Sequence, residues 1–279
     1  MSNRKIAYIV KDQMPLALGI EESVARACRL MWRRRAGSVL AMDSKNNLAG
    51  IFTGRDAVRL LAEGSSGKAH LATAMTPNPV TLTPRDRAID ALKSMAKGNF
   101  RHVPIVDDGK LVGVVSRGDF RGMEFEEFDW DESHLRNAMT PNREVSSIIS
   151  DQTPIALSAE ETVRSACVAM RQSSSGSALV VDSQGQLIGI FTGRDAVRAL
   201  SETGDAGSKL LKLAMKSKPV IITPQSHAVD ALRTMSDRGF RHLPVVENGT
   251  VYGVVSRSDF TGVEIDRLDE DEHLAECIW

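Results

Sequence analysis

Along much of the chain, apolar residues recur at three- and four-residue spacing and then give way to short β-branched runs closed by turn-forming clusters. Ala88, Ile89, Ala91, Leu92 and Met95 repeat with helical periodicity, and the preceding Thr83-Pro84 predicts an N-cap followed by proline at the first helical position. Val103 to Val106 and Leu111 to Val115 are short apolar runs split by Asp107-Asp108-Gly109-Lys110, which predicts a hairpin. Glu247-Asn248-Gly249-Thr250 predicts a second one. A further helix is expected to begin near Asp119. The resulting order is strand, helix, strand, strand, helix, with most strand positions apolar on both faces.

The pattern repeats. The string GIFTGRDAVR at Gly50 to Arg59 returns unchanged at Gly189 to Arg198, and the halves align from Asp12-Gln13 onto Asp151-Gln152 through Ser116 onto Ser256. Each half divides again, because GIFTGRD has a cousin in GVVSRGD (Gly113 to Asp119) and in GVVSRSD (Gly253 to Asp259). The expectation is a mixed α/β (α+β) fold of four βαββα units, each about 60 residues long. A lone unit of that size buries too little surface to be stable by itself, so units should pair within each half and hide their sheets together. The pairs are placed at 1–138 (units about 1–62 and 68–138) and 139–279 (units about 139–201 and 208–279). The boundary falls near Ala138 to Asn142, where AMTPN repeats Ala74 to Asn78.

Composition narrows the function classes. A net charge of -1 provides no global field to draw the chain to nucleic acid or to an anionic membrane. The N-terminal apolar stretch is cut by Lys11 and Asp12, and no later run approaches the roughly 18 uninterrupted apolar residues of a membrane span, so a cytoplasmic protein is expected. Cys28 and Cys167 occupy equivalent places inside helical patterns and Cys277 stands alone; with no CxxC spacing they read as reduced thiols, the first two buried. No GxSxG or HExxH occurs, so no enzyme is expected. Gly64 to Lys68 lacks the spacing of a P-loop, and His134 and His273 lack the neighbours of a metal site.

All four units place a hydroxyl and a carboxylate three residues apart after the last strand: Thr53 and Asp56, Ser116 and Asp119, Thr192 and Asp195, Ser256 and Asp259. Two readings stand side by side. The spacing suits a helix-capping box. It also suits a phosphate at the free N–H groups of a helix start, with the carboxylate taking two ribose hydroxyls. Arg55, Arg117, Arg194 and Arg257 lie between each pair, where a guanidinium could reach the phosphate.

Those four segments, with AMTPNPVTL at Ala74 to Leu82 and FRHVPIVD at Phe100 to Asp107, resemble cystathionine-β-synthase (CBS) domains over nearly the whole chain. The resemblance implies two CBS pairs, each with a pseudo-twofold axis and two clefts. It further implies clefts for AMP, ADP, ATP or S-adenosylmethionine, and a regulatory role with no obligatory cofactor or metal. On that basis Asp56, Asp119, Asp195 and Asp259 become ribose ligands, and Thr53, Ser116, Thr192 and Ser256 phosphate-proximal hydroxyls. The base is expected near Pro15-Leu16, Pro79-Val80, Pro154-Ile155 and Pro219-Val220. Arg101-His102 and Arg241-His242 align with Gly37-Ser38 and Gly176-Ser177, so phosphate should prefer the clefts of Asp119 and Asp259. The tails Glu124 to His134 and Glu264 to His273 are expected either to pack on their own module or to dock another chain. Two functions are implied: a sensor acting on a protein effector, alone or as a homodimer, or a scaffold whose clefts are vestigial.

Overall fold

The computed structural model describes residues 4–121, 124–125, 143–202, 205–260, 264–265 and 268. The proposed boundary at Ala138 to Asn142, His134, His273, Cys277 and most of both tails lie outside the described residues.

In the first unit β1 (Ala17–Gly19) runs parallel to β2 (Ser38–Met42), and β2 pairs antiparallel with β3 (Leu48–Thr53). Between them α2 (Val24–Arg34) starts at Ser23, whose hydroxyl accepts from the Arg26 amide, and stops at Arg35 in a left-handed turn. Val24, Ala27, Cys28 and Met31 fall on one buried face, as the helical period requires. α3 (Gly54–Ala62) follows β3 directly. The third unit repeats this with β7 (Ala156–Ser158), α7 (Val163–Gln172), β8 (Ser177–Val181), β9 (Leu187–Thr192) and α8 (Gly193–Ser201).

The second unit carries α5 (Ala88–Gly98) and the hairpin β5 (His102–Asp107) and β6 (Lys110–Ser116); the fourth carries α10 (Ala228–Arg238), β11 (His242–Glu247) and β12 (Thr250–Ser256). Their opening strands shrink to single parallel bridges, Leu82 with Ile105 and Ile222 with Val245. α5 begins at Ala88, four residues later than Thr83-Pro84 predicted. The amide and hydroxyl of Thr83 turn instead onto Asp86 Oδ2, at 2.6 and 2.9 Å, making a closed turn with proline inside it. The carbonyls of that turn are taken from outside: Ile6 N donates to Asp86 O and Ala7 N to Pro84 O.

Those donors belong to α1 (Ile6–Val10), the leader of the first unit, which packs on β6 of the second. The leader of the second unit returns the exchange. α4 (Leu71–Ala74) docks through Leu71 N to Glu22 O and Ala72 N to Ile20 O, and β4 (Thr76–Pro77) adds a fourth strand beside β3. The second half matches with α6 (Val145–Ile149) on β12, α9 (Leu211–Ala214), and β10 (Lys216–Ser217) beside β9.

Apolar clusters also run between the halves, beyond the pairing expected within each half. One buried cluster joins the first and third units, where α2 packs on α8 and α3 on both α7 and α8; a second joins the second and fourth. The helices of the first unit hide their apolar faces against those of the third. Units of one half touch through the exchanged leaders and through the His102 ring, which sits so close to Gly37 that a Cβ there would lie 2.6 Å from Nε2. His242 and Gly176 repeat this contact at the same distance. The buried Cys28 and Cys167 thiols are both pushed up to about 12 by burial, so they stay protonated.

Candidate functional site

The four hydroxyl–carboxylate pairs all form, and all close a capping box at the end of a strand. In the first unit Asp56 Oδ2 accepts from the Thr53 amide at 2.8 Å and its hydroxyl at 2.9 Å, while Oδ1 accepts from Thr76 Oγ1 at 3.2 Å and lies 3.6 Å from Arg59. Asp195 holds Thr192 in the same way, at 3.0 and 2.9 Å, and faces Arg198 at 3.7 Å. Burial raises the Asp195 carboxyl above its usual range, opposed by the Thr192 hydrogen bonds and by Arg198 and Arg194. Both carboxylates are 7% exposed. They point into the protein. Arg55 and Arg194 are exposed, and Arg55 donates to the Asn99 carbonyl of the second unit.

In the second and fourth units a 3-10 turn at Arg117–Asp119, matched by Arg257–Asp259, follows the last strand, and the helix expected near Asp119 is seen a few residues later, at Glu124 and Phe125 and at Glu264 and Ile265. Asp119 is exposed. Its Oδ2 accepts from the Ser116 amide at 2.6 Å and hydroxyl at 2.9 Å, and Oδ1 has no hydrogen-bond partner among the described residues. Asp259 is half-buried, with Oδ2 on the Ser256 amide at 2.7 Å and Oδ1 on its hydroxyl at 2.9 Å.

Each turn is fastened by a side chain from the start of its own half. The Arg4 guanidinium grips Glu124 at 3.0 and 3.1 Å and donates to the Asp119 carbonyl at 2.8 Å. Arg143 does the same to Glu264, at 2.6 and 3.1 Å, and to the Asp259 carbonyl at 2.9 Å. Glu124 and Glu264 are 4% and 2% exposed, so these are two-pronged ion pairs largely removed from water. Sequence reasoning missed both, because 120 or so residues separate the partners and neither charge sits in a motif. Of the tail residues that are described, Phe125, Ile265 and Leu268 are buried in the core, as the packing alternative expects.

The two turns face one another across the halves. Arg101, Arg117, Arg241 and Arg257 line one small cleft that opens to solvent, so the cations assigned by sequence to two separate clefts share one space. Arg101 Nη2 donates to Ser258 Oγ of the other half at 3.1 Å. Enclosure, first, and then Arg55, Arg241 and Arg117 hold Arg101 below its usual range, while Asp259 raises it. Arg241 keeps much of its surface open, yet enclosure in the cleft and the charges of Arg194 and Arg257 lower it, and Asp119 raises it.

His102 and His242 depart from the cationic role expected beside these arginines. Burial, then the guanidiniums of Arg241 and Arg101, push both rings down to about 4, so they are neutral at pH 7. The His242 Nε2 atom is buried without a hydrogen-bond partner against Gly176. Val80 and Val220, the expected base contacts, are 53% and 39% exposed on irregular segments instead of strands. Among the described residues no cluster of three metal-ligating side chains occurs and no helix is long and apolar enough to cross a membrane.

The repeated strand–turn–carboxylate geometry has a counterpart among known proteins. The CBS domain model matches residues 70–123, 145–202 and 210–265. The chain belongs to the CBS-domain family. A CBS domain-containing protein of Arabidopsis thaliana, CBSCBSPB2, is 30% identical over 268 residues, covering 86% of this chain and 50% of its own. The uncharacterized protein MJ1225 of Methanocaldococcus jannaschii is 30% identical over 186 residues, covering 65% of this chain and 66% of its own. The crystal structure of MJ1225 superposes with a TM-score of 0.71 at 17% identity, over 95% of this chain and 99% of that one, which shows the four-unit CBS fold. This chain spans about half the length of the Arabidopsis CBS relatives it matches.

Proposed function

We propose that this CBS protein is a regulatory adenosine-nucleotide sensor that binds AMP, ADP or ATP, with S-adenosylmethionine as a further candidate, and acts through a partner protein. In this reading 1–138 and 139–279 are the two CBS pairs. The observation that carries it is the hydroxyl–carboxylate turn repeated in register and, in two of its four copies, set beside arginines at a cleft, with the Asp119 copy exposed and the Asp259 copy half-buried. Asp119 Oδ1 is available to a ribose hydroxyl, and Ser116 and Ser256 stand at the cleft that Arg117 and Arg257 line. Two or three charge-assisted contacts of about 1.5–3 kcal/mol each, with burial of the base against Val80 or Val220, would support micromolar binding.

A scaffold with vestigial clefts is the second reading, favoured by one observation: Asp56 and Asp195 commit their carboxylates to their own turns. Thermal melting with each nucleotide separates the two. A ligand at 100 times its Kd adds about 2.7 kcal/mol to stability, and a flat response to all four compounds sinks the sensor. Calorimetry on Asp119→Ala and Asp259→Ala should show at least a tenfold loss of nucleotide affinity, with Asp56→Ala and Asp195→Ala affected less; the reverse ranking places the nucleotide elsewhere.

A further inference from the structure

The two halves carry the same helix at equivalent places but give it different surfaces. α2 of the first unit and α7 of the third align through Cys28 and Cys167, and both bury the same stripe: Val24, Ala27, Cys28 and Met31 in one, Val163, Ala166, Cys167 and Met170 in the other. Away from that stripe α2 shows Arg26, Arg29 and Arg33 in one row, with Trp32 and Arg34 on its flanks, all exposed. The equivalent positions of α7 are Ser165, Val168 and Gln172, with Arg171 and Ser173.

The fold does not ask for these cations. A helix end favours positive charge, which accounts for Arg33 and Arg34 in the last turn, but Arg26 stands in the first turn, where the dipole repels it, and Arg29 in the middle. Residues three and four apart are neighbours on a helix, so Arg26, Arg29 and Arg33 repel one another. Arg26 has Glu22 beside it at 3.3 Å; among the described residues no ion pair or hydrogen bond holds the side chains of Arg29, Arg33 or Arg34. α7 packs in the same way with two arginines, and both face the chain's own carboxylates, Arg171 at 3.1 Å from Glu63 and Arg164 at 3.7 Å from Asp205.

The shape of the face selects its occupant. Arg26 and Arg33 are about 10 Å apart along the axis, so the charges are strung out and do not converge on one phosphate. The apolar stripe is taken up by the core, which leaves little to enter a lipid layer. Trp32 is 42% exposed, but the Arg198 guanidinium of the third unit lies over its ring, 5.6 Å from the centroid, and α2 has no second aromatic on which bases could stack. A helix with carboxylates three and four residues apart presents a row that matches the row of arginines, each guanidinium donating to one carboxylate.

We propose that the exposed face of α2 docks an acidic helical segment of a partner protein, its carboxylates paired with Arg26, Arg29 and Arg33 and its flank against Trp32. The face gives the effector of the proposed function a place to dock, and it rests only on the partner-acting half of that function, not on the nucleotide. Trp32 and Arg198 come from different halves, so a segment seated against Trp32 lies at the junction between them.

Fluorescence anisotropy of the full chain with a labelled alanine–glutamate peptide, its glutamates three and four residues apart, tests it; the same peptide with glutamine for glutamate is the reference. At about 0.01 M salt the glutamate peptide should bind at least tenfold more tightly than the glutamine one, and it should lose most of that margin at about 1 M. Arg29→Gln combined with Arg33→Gln should weaken it at least tenfold, while Lys45→Gln with Lys110→Gln, two exposed cations elsewhere in the first half, should leave it unchanged. The arginine variant should also melt no lower than the unsubstituted chain; a lower melting point would mean that these arginines hold the fold, and would overturn the proposal. Equal binding of the two peptides or an equal loss in the lysine variant would overturn it too. So would tighter binding of an oligouridylate, or retention on phosphatidylserine vesicles without peptide binding, which give the face to RNA or to a membrane. None of these outcomes touches the nucleotide reading, which melting with AMP, ADP, ATP and S-adenosylmethionine decides separately.

Discussion

The first and third units finish their last strands as the second and fourth do, with a hydroxyl, two residues and an aspartate, yet the two regions use that turn differently. In the first and third units the turn opens a nine-residue helix, the carboxylate is buried, and Gly54 and Gly193 bring the two turns together so closely that a Cβ on Gly54 would lie 3.3 Å from the Gly193 carbonyl oxygen. In the second and fourth the turn is a three-residue 3-10 element separate from the helical residues at Glu124 and Glu264, an arginine from the start of the half holds it from behind, and an arginine-lined space separates the pair. The capping geometry is shared; the residues after the aspartate decide whether its carboxylate supports a helix or faces solvent.

The contrast can be broken most severely at the fasteners. Arg4→Met strands Glu124 in a nearly dry place, and loss of a partner from a buried ion pair costs about 3–5 kcal/mol, so chemical denaturation should show a large fall in stability. Arg143→Met should match it. The next effect is acid-induced. His102 and His242 have an ordinary value of 6.5 and are held down to about 4, so the folded state takes up fewer protons than the unfolded chain between those limits. Stability is therefore complete above pH 6.5 and is lost as pH falls toward 4, by up to about 2 kcal/mol per ring at pH 5. Melting curves between pH 7 and 5 should show this slope, and His102→Asn should lessen it.

Smaller effects sharpen the comparison between the turns themselves. Gly54→Leu forces a side chain against the Gly193 backbone and should cost about 1–3 kcal/mol, whereas Gly118→Leu, in open space, should stay within about 0.5 kcal/mol. Asp56→Ala removes a cap and leaves Thr76 without its acceptor, for about 1–2 kcal/mol by thermal melting. Asp119→Ala, exposed, should cost less than half as much. Equal losses at the two aspartates would mean that the regions do not differ in the way their geometry indicates.

Much of this is legible from residue order. Val103 to Val106 lies within β5 and Leu111 to Val115 within β6, because a β-branched run and an Asp-Asp-Gly turn leave the backbone few alternatives. The hydroxyl–carboxylate spacing identifies all four turns. The difference between the turns has a signal in the chain: Asp56 is followed by Ala57, Val58, Leu60 and Leu61 at helical spacing and opens a helix at once, whereas the backbone after Asp119 is extended at Phe120. Other features leave no local trace. Periodicity shows that α2 has an apolar face but not that α8, from the other half, will cover it. The neutrality of His102 depends on Gly37, 65 positions away, and on guanidiniums that only the folded chain brings near.

The exchange of leaders bears on how the chain is made. The sheet of the first unit acquires its fourth strand only when Thr76 and Pro77 are in place, and α1 waits for the turn at Thr83 to Asp86 and for β6 before it can dock. A ribosome must therefore release the chain through Ser116 before either of the first two units is complete. Emerging segments are interlaced across the nascent first half, and a polypeptide cut between Ala62 and Lys68 would leave both fragments with a missing piece and an uncovered apolar edge.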